Sequence, residues 1–436
     1  MAEIRPFHGL HYDQSIVGDL AAVICPPYDI ITPQMEQELY RRSKYNFVHL
    51  EHGQRLPQDS TIDNSYTRSA AILEQWLEQG VLITDEVPAI YLHDHYFTYN
   101  GREYKRRGIT ARVRLEEWHR MIIRPHEGTL AGPKDDRVNL LGVLGVNTSP
   151  ILAMFEDQGQ HISSLLALKK SDRPLISLND LNGERHDVWA ITEPRVVAQI
   201  CSGFNEKPLY IADGHHRYES ALIYRRQRRA LSAAASPDGA ADYVLMTLVD
   251  CADPGLIILP PHRLLRGLPP SEIAGLASKL GSFFDVAELP LDMPAVWRQV
   301  DDLLAGADRV RLVLFGLSGR RLQVLTLKDY AAASQMMPYF HSELYKRLAV
   351  SVVDHVILEE LLGLGSGQDE VRISYNYNMQ GAVEMVLARE QQLALILGPV
   401  RAETVKAIAD AGDRMPRKST YFYPKLPAGL ILNRLV

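Results

Sequence analysis

The sequence has little of what would point to an oxidising or membrane environment. Cysteine is scarce: Cys25, Cys201 and Cys251 are the only three in 436 residues. They are odd in number, far apart and without Cys-x-x-Cys spacing, so neither a disulfide framework nor a thiolate zinc site is expected. No apolar run approaches the roughly 20 residues needed to span a bilayer, and Met1 to Phe7 carry no apolar signal-type core. A cytoplasmic location without membrane attachment is therefore expected. A basic block is also missing: the net charge is −6, and the densest run, Tyr224-Arg225-Arg226-Gln227-Arg228-Arg229, reads as a solvated helix face. Nucleic acid is accordingly not expected as a partner. Neither a Gly-x-x-x-x-Gly-Lys-Ser/Thr loop nor a His-Arg-Asp and Asp-Phe-Gly pair occurs, which removes the two commonest phosphate-transfer architectures.

What is present is globular material, 46% hydrophobic and 23% charged, enough for at least one large core. Residues 61–83 read as a helix, with Ile72, Leu73, Trp76 and Leu77 on one face and Gly80 where a stop belongs. Ala89 to Tyr99 and Arg107 to Leu115 flank Asn100-Gly101 and read as a β-hairpin. From Ile122 to Thr129 the regular pattern gives way to Pro, Gly and charge. Pro208 to Ala212 reads as a short buried strand, and Tyr218 to Arg229 has helical spacing, so Asp213 to Arg217 falls on a strand-to-helix turn. Residues 242–265 supply two more apolar strands, and 271–345 alternate helix and strand signals. The predicted class is mixed α/β (α+β). A soft boundary near 265 divides a catalytic core, 1–265, from a C-terminal α/β lobe, 266–436, whose last segment, 411–436, is expected to return to the site.

The motif with the clearest chemistry is Asp213-Gly214-His215-His216-Arg217. A strand that ends in Asp-Gly and opens a helix presents backbone N–H groups and the positive end of the helix dipole, and glycine allows an anion close approach. Arg217 can grip phosphate oxygens as a fork, and His215 and His216 can donate hydrogen bonds or shuttle a proton. The plainer alternative is a helix capped by Asp213 with two surface histidines. The second group is Arg124-Pro125-His126-Glu127-Gly128-Thr129 with Lys134, Asp135, Asp136 and Arg137, in which Glu127 is the candidate general base. A solvated ion-pair loop is its alternative. Cys25-Pro26-Pro27-Tyr28-Asp29 is a rigid turn that ends in a phenol and a carboxylate. His262-Arg263 follows an apolar strand and suits anion binding, and Lys418, Ser419, Thr420 and Lys425 have the composition of a loop that clamps a charged ligand.

These five pieces, together with Asn46-Phe47-Val48-His49-Leu50-Glu51, make six ordered motifs that resemble the bacterial and archaeal family called DUF1015 across essentially the whole chain. The pentad is also similar to the phosphate-binding turn of the ParB/sulfiredoxin superfamily, which includes free-serine kinases. That resemblance implies a ParB/sulfiredoxin-like core and transfer of phosphate from ATP, ADP or pyrophosphate to the hydroxyl of free L-serine, assisted by Mg²⁺. It assigns Asp213 to orient the metal or substrate, Gly214, His215, His216 and Arg217 to the phosphoryl group, with His262 and Arg263 as further phosphate ligands, and Glu127 as base. Tyr28, Asp29, His126, Thr129, Arg137, Lys418, Ser419, Thr420 and Lys425 would contact substrate. Sulfiredoxin chemistry needs a cysteine where this chain has His215, and a ParB-like DNA clamp lacks its helix-turn-helix and basic charge here. Two alternatives remain open: a metal-assisted phosphohydrolase using His126, Glu127, Asp213 and His215 or His216, and a nucleotide-binding regulatory module without turnover.

Overall fold

A computed structural model of the chain describes residues 2–167, 173–231, 238–306, 309–365 and 371–435. The fold is mixed α/β. It divides into two compact units, the first made of Met1–Pro125, Thr129–Ile257 and Pro424–Val436, the second of His126–Gly128 and Ile258–Tyr423.

In the first unit, helix α1 (Ser65–Glu78) starts later than the apolar spacing predicts. Asn64 sets the start by accepting hydrogen bonds from the Tyr66 and Thr67 N–H groups, while the Thr67 hydroxyl takes the Asn64 N–H. Strands β1 (Ile90–Tyr99) and β2 (Arg102–Arg114) form the expected hairpin. Its turn residues Asn100 and Gly101 both have positive φ, 48° and 72°, as a two-residue connection between twisted strands requires. There follow β3 (Ile123–Pro125), helix α2 (Ala131–Leu144), β4 (Ile151–Phe155), β5 (Ile176–Asn179), β6 (Arg185–Ile191), β7 (Leu209–Asp213), helix α3 (His215–Leu231) and β8 (Tyr243–Asp250).

The sheet runs β3-β7-β4-β8-β2-β1-β6-β5, and Ile4–Arg5 also pairs with β2. It is mixed: β3 with β7 and β4 with β8 are parallel, and the remaining neighbours are antiparallel. Strand β3 lies where regular pattern was expected to lapse. Its three residues gain strand geometry from pairing with β7, and Pro125 is tolerated because β3 is an edge. One face of the sheet buries Ile109, Ala153, Ile211 and Met246 against Phe204, Tyr218 and Leu222. A second cluster gathers Phe47, Leu73, Trp76 and Tyr91. The run on α3 is the solvated face the sequence suggests from Arg226 to Arg229, all exposed, and departs from it at Tyr224 and Arg225. Arg225 is buried and donates to the Leu115 carbonyl at 2.5 Å and to Glu117 at 2.8 Å, and Arg226 donates to Glu117 at 2.6 Å.

The second unit is built on a six-stranded antiparallel sheet in the order 284–290, 321–327, 311–315, 393–396, 262–265 and 373–376. Val296, Val300, Val313, Phe315 and Ile396 form its core. Among the described residues, no helix is long and apolar enough to cross a membrane.

Candidate functional site

Strand β7 ends at Asp213 and α3 begins at His215, so the chain must reverse direction at one residue. That residue is Gly214, at φ +95°, a conformation side chains rarely adopt. A Cβ there would stand 2.9 Å from the Arg217 guanidinium, so the position needs glycine for space as well. The Gly214 carbonyl accepts the Tyr218 N–H at 3.0 Å, which opens the helix.

The Asp213 carboxylate is held from both sides. Arg217 Nη2 donates to its Oδ2 at 2.7 Å, and the Lys425 ammonium donates to its Oδ1. Lys425 belongs to the C-terminal stretch of this same unit and also stands 3.7 Å from Asp29 Oδ2. Burial alone would raise the Asp213 pKa, but Lys425 and then Arg217 more than reverse it and hold the carboxyl well below its usual range. Arg217 is oriented by Ser149, whose hydroxyl accepts from Nη1 at 2.9 Å, and by the Pro150 carbonyl at 2.6 Å. Its Nε is buried with no partner.

Beside this, Arg137 lies 4.0 Å above the Tyr28 ring and donates to the Glu51 carbonyl at 3.1 Å. Burial pushes the Tyr28 phenol up to about 12, so it stays protonated at neutral pH. A cavity of about 40 Å³ opens between Arg137, Ser149, Arg217 and Ser220. Thr129 and the following residue are pinned to the start of α3. The Thr129 hydroxyl donates to Glu219 at 2.5 Å, and the Leu130 N–H donates to His216 Nε2 at 3.0 Å. That nitrogen of His216 is thus an acceptor engaged by backbone, and the neutral ring carries its proton on Nδ1. His215 is buried at the first turn of α3.

The remaining predicted residues lie in the second unit. Glu127 Oε1 accepts the Ser419 N–H at 3.1 Å and the Thr420 hydroxyl at 3.4 Å, while His126 Nε2 stands 2.9 Å from the Thr420 hydroxyl oxygen. The Ser419 hydroxyl donates to the Pro416 carbonyl at 2.5 Å. Lys418 is exposed and sits at φ +56°, uncommon for a non-glycine residue. His262 and Arg263 lie on the strand His262–Leu265. His262 Nδ1 accepts the Leu397 N–H at 3.2 Å, and burial with Arg263 beside it brings its pKa down to about 4. Arg263 is 1% exposed and is taken up by Asp354 at 3.2 Å and the Pro261 carbonyl at 2.7 Å.

Tyr28, Asp29, Arg137, Asp213, Arg217 and Lys425 are therefore neighbours within one unit. Ser149 and Glu51 join them without having been singled out as ligands. Asn46 to Glu51 is recognisable as a motif, but a serine in Thr148-Ser149-Pro150 carries no chemical signal until the fold sets it against Arg217.

The family model described as a protein of unknown function (DUF1015) matches residues 4–354. No curated protein matches. Among solved structures, a free serine kinase in complex with AMP shares 12% identity, covering 74% of this chain and 91% of its own, at a TM-score of 0.36. A mutant free serine kinase in complex with ADP shares 11% over 74% and 91%, at a TM-score of 0.35. A conserved hypothetical protein from Pyrococcus furiosus shares 11% over 74% and 94%, also at 0.35. With overlaps this loose, the chemistry of this chain is read from its own side chains.

Proposed function

We infer that this chain, which belongs to the DUF1015 family, is a phosphotransferase that holds its phosphate donor at the Asp213–Arg217 turn and passes a phosphoryl group to a small hydroxyl compound, free L-serine being the acceptor we propose. The observation that carries the reading is the convergence of Lys425 and Arg217 on half-buried Asp213, with Asp29 next to the ammonium, at the start of α3. Phosphoryl transfer asks for positioned cations on the phosphoryl oxygens and carboxylate oxygens for a metal ion, with little covalent work from the protein. Both kinds of group are present here, at the end of a helix whose dipole favours an anion.

Within this reading, Lys425 and Arg217 grip donor oxygens, and the Asp213 carboxylate keeps both cations in place before the donor arrives. Magnesium prefers one or two carboxylates together with phosphate oxygens, and the site fits it in donor type. Asp29 is the better-placed ligand, because the Asp213 oxygens already carry Lys425 and Arg217. The ion would neutralise charge on the phosphates. His216 receives no proton-transfer role through Nε2, which the Leu130 N–H occupies. Glu127 is assigned as the proton acceptor for the hydroxyl, supported by a carboxylate fixed through the Ser419 N–H. The kinship of the turn with the ParB/sulfiredoxin superfamily is part of the same proposal and rests on the pentad.

The test is incubation of the purified protein with L-serine, Mg²⁺ and, separately, ATP, ADP and pyrophosphate, with O-phosphoserine measured by mass spectrometry. Product with one donor, lost in Arg217→Ala, supports the reading. Absence of product with every donor overturns serine as acceptor, and phosphate release that ignores serine points to hydrolysis instead.

A further inference from the structure

Away from the Asp213 turn, the same unit encloses a group of imidazoles and acids that the phosphotransfer reading does not use. His93 and His95 project from one face of β1, two residues apart. His186 on β6 pairs in register with His95, and so does Arg106 on β2 from the other side. Glu184 stands just before β6 at the end of the turn Asp180-Leu181-Asn182-Gly183. His93, His95, Arg106, Glu184 and His186 are all buried.

We propose that His95, Glu184 and His186 bind one divalent transition-metal ion of the zinc class. One donor atom from each lies within 4.8 Å of the other two. A four-coordinate ion about 2 Å from each ligand sets its donors about 3.4 Å apart, so small side-chain rotations of about 1.4 Å or less bring the three to coordination distance. Two imidazoles and a carboxylate suit zinc and its neighbours rather than magnesium or calcium, which prefer all-oxygen shells.

The strongest sign is His186. Its ring is 0% exposed, yet its Nε2 has no hydrogen-bond partner, and the nearest acid oxygen, Asp180 Oδ2, is 3.9 Å away. An orphaned buried polar atom is unfavourable, a cost that a bound ion removes. The other ring nitrogen, Nδ1, lies 3.0 Å from His93 Nε2, so His93 can accept its proton and fix the ring, the outer-shell support that metal-binding histidines use. All three imidazoles are held below their usual pKa, chiefly by burial, so they are in the neutral ligand form. Burial, with Asp180 adding to it against Arg106, brings Glu184 up to about 7.

Proton bookkeeping is definite at His95. A guanidinium only donates, and Arg106 Nη2 lies 3.0 Å from His95 Nδ1 and 2.8 Å from the Pro424 carbonyl. Without metal, the His95 proton is therefore on Nε2, facing Glu184 Oε2 at 2.7 Å. On loading, the Nε2–H bond gives way to a metal–Nε2 bond, the ring proton moves to Nδ1, Arg106 gives up its bond to Nδ1 and keeps the one to Pro424, and a proton held by Glu184 leaves to solvent. No oxidation state changes, and affinity rises with pH.

The proposal stands apart from the phosphotransfer reading and is tested without any activity. Full-length protein is stripped with chelator, confirmed folded by circular dichroism, and titrated with Zn²⁺ and with Co²⁺, following metal content and the visible cobalt bands. One tightly bound equivalent per chain is expected, with affinity at least tenfold weaker in Glu184→Gln, a change of nearly equal size, and in His186→Ala. Should His186→Ala fail to fold, histidine ¹⁵N spectra of the wild-type protein supply the same information: zinc must shift the His186 Nε2 resonance. Absence of a stoichiometric equivalent of either ion overturns the proposal, as does uptake that Glu184→Gln and the His186 resonance both leave untouched.

Discussion

Substituting Lys425 by Met removes one of the two cations that make the half-buried Asp213 carboxylate tolerable. The side chains of Asp213 and Lys425 are 18% and 10% exposed, so solvent does little to screen the pair. Removing one partner of a buried ion pair costs about 3–5 kcal/mol. Arg217 still holds the other Asp213 oxygen at 2.7 Å, which places the expected loss at about 2–3 kcal/mol at pH 7. The sign of the pH dependence follows from the depressed pKa of Asp213. A carboxyl with a lowered folded pKa contributes stability that is complete above its unfolded value, about 3.9, and is lost as pH falls toward the folded one. The gap between wild type and Lys425→Met is thus widest above pH 4 and narrows below it. Urea unfolding followed by tryptophan fluorescence reports mainly the first unit, which contains Trp76, Trp118 and Trp189. A gap under about 0.5 kcal/mol at pH 7, or one that does not narrow in acid, would refute the reasoning.

Gly214→Ala forces a Cβ against the Arg217 guanidinium at φ +95°, so a loss of about 1–3 kcal/mol is expected in thermal unfolding. Glu127→Gln, which keeps the size of a side chain fixed by the Ser419 N–H, should lower O-phosphoserine formation by about 10²–10⁴-fold with an unchanged near-ultraviolet spectrum. Glu184, with its folded pKa raised to about 7, binds more protons folded than unfolded between about pH 4.3 and 7, so chelator-treated wild-type protein should lose about 1–3 kcal/mol across that interval as pH rises. Glu184→Gln should abolish that slope in urea titrations.

Local elements with a strong periodic or turn signal were legible in the sequence. Asn100-Gly101 placed the hairpin, and the apolar run before Asp213 with helical spacing after it placed the strand-to-helix turn. Boundaries were less so: α1 begins at Ser65 because Asn64 and Thr67 cap it, a contest between cap and periodicity that a count of apolar residues does not resolve. Strand β3 was invisible, since three residues ending in proline become a strand only by pairing with β7. In the same way, the partners of Arg217 could be suspected in kind but not in identity. Asp213 is four residues away on the same turn, whereas Ser149 and Lys425 are brought in from distant positions in the chain. The histidine cluster was missed for a related reason. His93 and His95 flank Asp94, His186 sits between Arg185 and Asp187, and the three converge only through the register of β1 and β6. Arg225 shows the reverse error, a charge read as solvated that the fold buries against Leu115 and Glu117.

The measurement that goes most directly to the phosphate-holding turn is calorimetric titration of the wild-type protein and of Arg217→Ala with ADP and with pyrophosphate in the presence of Mg²⁺. Saturable binding of one ligand per chain is expected for wild type, at least tenfold weaker in the variant. Equal affinity in the two proteins, or no binding of either ligand to wild type, would contradict a phosphate site at Asp213–Arg217.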